Sequence, residues 1–351
     1  MSISEQGENL IFLISQPRSG STLLQRILGG HPSIFTTAEP WLMLHPLYAL
    51  KYSGYETDYR ADLARDALDE LFAVMPDQED TYFKGLRKMY SFIYSSIADS
   101  SEKKIFLDKT PRYYYVVPEL YRVFPKAKFI ILARNPLAVL CSIYRTWIQP
   151  DWNRLYRFRD DLILAPELIR LAVQTLGDSC LLVNYEDILD KPAIEVEKIC
   201  KWLKIEFDAE ILNYRSSFDI QWKLGDQSKI NTYNTPRICN RDAWVNDLKQ
   251  PQIWRCVHDY IETLDEELLK DLRYSRKDLS VIVNSNQPNP ISRFLTFPLS
   301  LILTPPNQRK DFDISLWCLM LVSSFKKRGF LKSIQYIPKK FFKKSGSSSK
   351  V

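Results

Sequence analysis

Apolar residues run along this chain in two rhythms, and together they predict its architecture. Short unbroken apolar runs occur at residues 10–14 (LIFLI), 104–107 (KIFL), 128–133 (KFIILA) and 179–184 (SCLLVN). Their length and their β-branched and aromatic content are those of strands buried on both faces. Between the runs, apolar positions recur at helical spacing. Leu23, Leu24, Ile27 and Leu28 form one stripe, ended by Gly29-Gly30 and Pro32. Further helical stripes lie at 59–75, at 82–98, at 118–125, after Pro136, at 160–177, after Pro192 and at 254–272. Strands alternating with helices predict parallel βαβ units with right-handed crossovers, and so an α/β fold of three layers around a central parallel sheet.

The segments that break these rhythms carry the next information. Pro32, Pro40 and Pro46 interrupt residues 31–50, so this stretch, with Glu39 among Trp41, Leu42 and Met43, reads as a loop. Residues 222–244 are polar and irregular, and long irregular stretches inside a domain are usually functional or disordered. Beyond NSNQPNP the composition changes, which sets an α/β domain at 1–283 and a partly apolar, basic C-terminal extension at 284–351. Residues 325–351 hold nine Lys or Arg and no acidic residue; the chain carries +6 overall, so the remainder carries about −3. That distribution argues against a domain-wide nucleic-acid surface. Two readings fit the tail: a helical appendage packed on the core, or a segment lying on an anionic membrane surface.

Composition adds bounds. A hydrophobic content of 45% suffices for a large core. No apolar run reaches the roughly 18 residues of a membrane span, and the first ten residues have no basic leader region, so the expected location is cytoplasmic, with peripheral membrane contact through the tail as the alternative. The six cysteines include no C-x-x-C pair, so neither a disulfide framework nor a metal site is expected.

Candidate chemistry concentrates at predicted strand ends, the edge where open α/β sheets place ligands. After the first run comes QPRSGST, in which Arg18, Ser19, Gly20, Ser21 and Thr22 form the turn into a helix. Unpaired helical N–H groups, the positive end of the helix dipole, a glycine, three hydroxyls and an arginine suit a phosphate. The Walker A pattern is not met. A second strand leads to Asp108-Lys109-Thr110-Pro111, and a third to Arg134-Asn135-Pro136, where Asn135 suits an N-cap and Pro136 the first helical position. The ordinary alternatives are a solvated Arg18, a strand-end Lys109 and a helix-capping Glu39.

Taken together these segments resemble the sulfotransferases that use 3′-phosphoadenosine 5′-phosphosulfate. QPRSGST is similar to their 5′-phosphosulfate loop in the bacterial, tyrosylprotein and heparan-type branches. RNPLAVLCS, with Arg134 and Ser142, is similar to their 3′-phosphate motif, and VNYEDI, with Tyr185, to a nucleotide-contacting segment. The resemblance covers residues 8–272 in order and spacing. It implies a P-loop-like fold and sulfuryl transfer from that donor to an acceptor hydroxyl or amine, whether small molecule, carbohydrate or lipid-linked. It also implies Glu39 as base, Lys109 as the cation on the transferring group, and Arg18 on the leaving phosphate. Lys229, or Arg237 and Arg241, would complete the 3′-phosphate site, because the Arg-Lys-Gly segment of the cytosolic branch is absent. That branch uses a histidine base, but His31 follows a helix in a turn and His45 lies between Leu44 and Pro46, so neither is preferred. A kinase with Asp108 as magnesium ligand is the first alternative. A non-catalytic nucleotide-binding scaffold recruited by its tail is the second.

Overall fold

Strands β1 (Leu10–Ser15), β2 (Ile34–Thr36), β3 (Ile105–Lys109), β4 (Lys128–Ala133) and β5 (Cys180–Asn184) pair in parallel in the order β2-β3-β1-β4-β5. This computed structural model describes residues 1–99, 101–213, 235–236, 241–290 and 296–309. Residues 222–234, Lys229, Arg237 and the basic tail lie outside the described residues. The helices are α1 (Ser21–Gly29), α2 (Leu44–Tyr48), α3 (Ala61–Val74), α4 (Glu79–Ile97), α5 (Val117–Val123), α6 (Pro136–Ile143), α7 (Arg159–Leu176), α8 (Tyr185–Asp190), α9 (Pro192–Leu203), α10 (Pro251–Thr263), α11 (Glu266–Asp271), α12 (Arg276–Ser285) and α13 (Leu299–Leu303). Among the described residues, no helix is long and apolar enough to cross a membrane.

Two compact units divide the chain, one of Met1–Val139, Asp161–Ala243 and Asp265–Arg276, the other of Leu140–Asp160, Trp244–Leu264 and Lys277–Val351. The first contains the sheet, whose two faces differ in chemistry because strand side chains alternate. One face is aliphatic: Ile11, Leu13, Leu107, Ile130, Leu132 and Val183 pack with Leu23, Leu24, Ile27 and Leu28 of α1 and with Ile188 and Ile199 of α8 and α9. The other is aromatic, with Phe12 against Tyr113, Phe124 and Phe129, and Tyr94 of α4 against Phe106 and Phe124. In the second unit Tyr144 stacks on Trp152 at 4.3 Å, and Gln252 of α10 exchanges both amide hydrogen bonds with the Phe297 backbone.

Three boundaries differ from expectation. β2 lies in the stretch read as a loop. It is a three-residue edge strand paired only with β3, too short to show a period. β3 runs through Asp108 and Lys109, which were expected just past it. The helix expected at 254–272 is two, because Asp265 accepts hydrogen bonds from Glu267 N (2.8 Å) and Leu268 N (3.1 Å) and so caps a new start.

Candidate active site

The chain runs from β1 out to β2 and back through β3 on one side, then to β4 and β5 on the other, which makes β1 the point where the winding reverses. Ligands of open α/β sheets bind at such a point, beyond the strands' C-terminal ends. Each strand end here delivers an expected residue: β1 the loop 16–20, β2 Glu39, β3 Lys109, β4 Arg134 and β5 Tyr185.

The loop after β1 turns through left-handed backbone twice, at Arg18 (φ 73°) and Gly20 (φ 91°). Gly20 has a second reason to be glycine: an added Cβ would stand 2.3 Å from the Tyr185 ring. The loop therefore packs flat against the start of α8. Ser19 is buried, and its Oγ makes no hydrogen bond among the described residues. Arg134 joins the loop from β4. Its Nη1 donates to Arg18 O at 2.9 Å and its guanidinium lies 4.4 Å above the Tyr185 ring, while its buried Nε has no partner among the described residues. Arg18, Gly20, Arg134 and Tyr185 are thus brought together, with Arg134 on the loop itself. Asn135 caps α6 as expected, its Oδ1 accepting from Leu137 N and Ala138 N. Ser142 is buried two turns into α6, in the part of that helix belonging to the second unit.

Glu39 and Lys109, seventy residues apart in sequence, form an ion pair with Nζ 2.6 Å from Oε1. Lys109 is 1% exposed and Glu39 16%. The same ammonium reaches Thr22 Oγ1 at 3.4 Å, so one cation links the carboxylate to the first turn of α1. The other carboxylate oxygen accepts from Trp41 Nε1 at 3.1 Å. Residues the motifs did not flag hold this pair in place. Buried Gln25 of α1 donates to Thr36 Oγ1 (2.9 Å) and to Thr37 O, fixing the end of β2. The Tyr113 hydroxyl accepts from Met43 N at 3.1 Å.

Asp108 points the other way. Strand alternation puts it on the aromatic face, opposite Lys109, where Oδ2 accepts from Tyr94 (2.6 Å) and Tyr113 (3.0 Å) and Oδ1 from Thr110 (2.9 Å). It is fully buried and turned away from the loop, which removes the magnesium-ligand role considered for it. Burial pushes its carboxyl from 3.8 up to about 6, the three hydroxyls and Lys109 opposing that rise. A group whose pKa rises on folding adds stability while protonated and loses that contribution as pH climbs through the folded value. The unfolding free energy of the wild type relative to Asp108→Asn should therefore fall by about 2 kcal/mol between pH 4 and pH 6 and stay level above pH 7. Urea titrations of both proteins across that range measure the difference; a constant difference would show that Asp108 does not titrate there.

The histidines stand apart. His31 uses both ring nitrogens, Nε2 with Glu206 O (2.8 Å) and Nδ1 with Ser33 N (3.0 Å), and it precedes β2 at the opposite edge of the sheet. His45 lies exposed on α2. Arg241 pairs with Asp190, a use that differs from the phosphate role considered for it.

The loop after β1 thus stands at the reversal of a parallel sheet, faced by an ion pair of buried Lys109 and half-buried Glu39. The family is established by comparison: the model of the sulfotransferase family matches residues 10–209, and the chain belongs to that family. Nodulation protein NoeE of Sinorhizobium fredii is 32% identical over 68% of this chain, the match spanning 63% of NoeE's own length. Protein-tyrosine sulfotransferase 1 of Danio rerio is 26% identical over 58% of this chain and 56% of its own. The solved sulfotransferase domain from the curacin biosynthetic pathway aligns with a TM-score of 0.46 at 23% identity, over 67% of this chain and 89% of that one.

Proposed function

We propose that the protein transfers a sulfuryl group from 3′-phosphoadenosine 5′-phosphosulfate to an acceptor hydroxyl or amine. The observation that supports this reading is the Glu39–Lys109 pair, whose ammonium also reaches Thr22 in the first turn of α1; Glu39 would be the proton acceptor and Lys109 the cation beside the loop. The residues fit a bisphosphorylated nucleotide, since Ser19 Oγ and Arg134 Nε are buried polar atoms without a partner among the described residues. Ser19, Gly20, Ser21 and Thr22 would hold the 5′ end through backbone N–H groups and hydroxyls. Arg134 would take the 3′-phosphate, and the Tyr185 ring would lie along the nucleotide.

In the reaction the acceptor's proton passes to Glu39 as the acceptor atom bonds to sulfur. The bond from sulfur to the 5′-phosphate oxygen breaks, and its electron pair stays on that oxygen. Lys109 balances charge on the sulfuryl oxygens, while Arg18 and the N-terminus of α1 receive the charge left on the phosphate. The kinase alternative loses its magnesium ligand with Asp108 turned to the far face.

Binding tests this reading before any acceptor is known. Adenosine 3′,5′-bisphosphate should raise the melting temperature more than ADP at equal concentration, with no need for Mg²⁺. Arg134→Ala should weaken the bisphosphate by about 1.5–3 kcal/mol, because a charged hydrogen-bond partner is lost. ADP should weaken less, through the lost support of Arg18 O alone. Equal weakening of both ligands by calorimetry would make Arg134 a loop support only. Labelled sulfate donor offered with phenols, sugars and amines then identifies the acceptor class, and bisphosphate binding with no turnover on any of them would favour the scaffold.

A further inference from the structure

Trp41 is the largest side chain on left-handed backbone among the described residues, at φ 54°. Bulky residues seldom adopt that conformation, and it persists where surrounding contacts over-determine it. Two side-chain contacts do so here, the second anchored in turn by an ion pair. The indole Nε1–H donates to Glu39 Oε2 at 3.1 Å. The Arg112 guanidinium lies 5.5 Å from the ring centre. Arg112 is itself fixed by a two-pronged ion pair to buried Asp161, with Nε at 3.0 Å and Nη2 at 2.6 Å, and Asp161 also accepts from the Tyr114 hydroxyl at 2.7 Å. The backbone carbonyl of Asp161 accepts from Gln16 Nε2 at 2.8 Å, and Gln16 opens the loop after β1. A closed circuit of contacts thus runs from the loop through Asp161, Arg112, Trp41, Glu39 and Lys109 back to Thr22 of α1.

Local sequence sets the context of the left-handed turn. Pro40 confines Glu39 to extended backbone, which sends the chain onward from β2. The left-handed turn at Trp41, the residue after Pro40, accompanies a side chain that reaches back to the carboxylate two positions earlier. The consequence is a carboxylate with one fixed donor on each oxygen, Lys109 on Oε1 and Trp41 on Oε2, so that its plane is set while each oxygen keeps a lone pair.

We infer that Trp41 is a positioning residue which, through its indole N–H, aims the Glu39 carboxylate at the acceptor. The inference rests on the reading of Glu39 as base. Replacing Trp41 by 3-benzothienylalanine, in which sulfur stands for the N–H in a ring of nearly the same shape, isolates the hydrogen bond from the packing. Turnover is followed as release of adenosine 3′,5′-bisphosphate from the sulfate donor, with the phenol, sugar and amine acceptors and with water alone. The substituted protein and Trp41→Phe should each lose about tenfold or more in kcat, with the KM for donor and the melting temperature near wild type. In a Glu39→Gln background the same replacements should cost nothing further, since residues acting through one another are non-additive.

The outcomes separate the two ideas. Full activity in Glu39→Gln overturns the base reading, and Trp41's role falls with it. An inactive Glu39→Gln beside a benzothienyl protein with wild-type kcat overturns the Trp41 assignment alone. A loss that appears equally in KM and melting temperature makes Trp41 a packing residue and likewise overturns it.

Discussion

Glu39→Gln should lower turnover by roughly 10²–10⁴ and leave affinity for adenosine 3′,5′-bisphosphate nearly unchanged. The substitution keeps the side chain's shape but removes its ability to take a proton. It also meets two donors, Lys109 Nζ on one oxygen and Trp41 Nε1 on the other. A glutamine amide has a single acceptor oxygen, which will go to the charged lysine and leave its NH2 facing the indole N–H. The hydrogen bond to Trp41 is therefore lost along with the base, and the loss of rate belongs to both. Calorimetry with the bisphosphate and turnover with an identified acceptor separate binding from chemistry. Retained activity would sink the base assignment. His31 is no substitute, because both its nitrogens are already engaged at the far edge of the sheet.

The parts of this molecule that were legible in its sequence are those set by local physics. β1 and β4 are covered on both faces, so they read as unbroken apolar runs, and the loop after β1 follows from a strand that must hand over to a helix at Gly20. β2 escaped because an edge strand of three residues has no period to detect, and Pro32 beside it argued for a loop. The extent of β3 was misjudged for a related reason: Asp108 and Lys109 are charged, yet both are buried, one by three hydroxyls and the other by Glu39. Charge alone does not mark a strand end when the partner comes from elsewhere in the chain. Resemblance gave Glu39 and Lys109 separate roles, and their ion pair was not anticipated, since nothing in the spacing of two residues seventy positions apart places them together. Arg112 and Asp161, forty-nine positions apart, gave no sign of their fork, and the turn at Trp41 uses a left-handed conformation that residue type would exclude.

Lys109→Met should reduce both stability and turnover, and a second substitution should restore only one of them. Removing the ammonium strands a mostly buried carboxylate, a change that costs about 3–5 kcal/mol for fully buried pairs and less here because Glu39 keeps some solvent contact. Methionine preserves most of the lysine's length, so the cavity contribution is small. Neutralising the stranded group in Lys109→Met/Glu39→Gln should then recover much of the lost unfolding free energy, giving a coupling of about 1–3 kcal/mol in a double-mutant cycle. Turnover should stay at or below the level of the worse single variant, because the double variant has neither a proton acceptor nor a cation on the transferring group. Denaturant titration and the sulfate-transfer assay read the two quantities independently. A double variant as unstable as Lys109→Met alone would mean that the lysine stabilises the fold through Thr22 and its other neighbours, and that its bond to Glu39 contributes to chemistry without contributing to the fold.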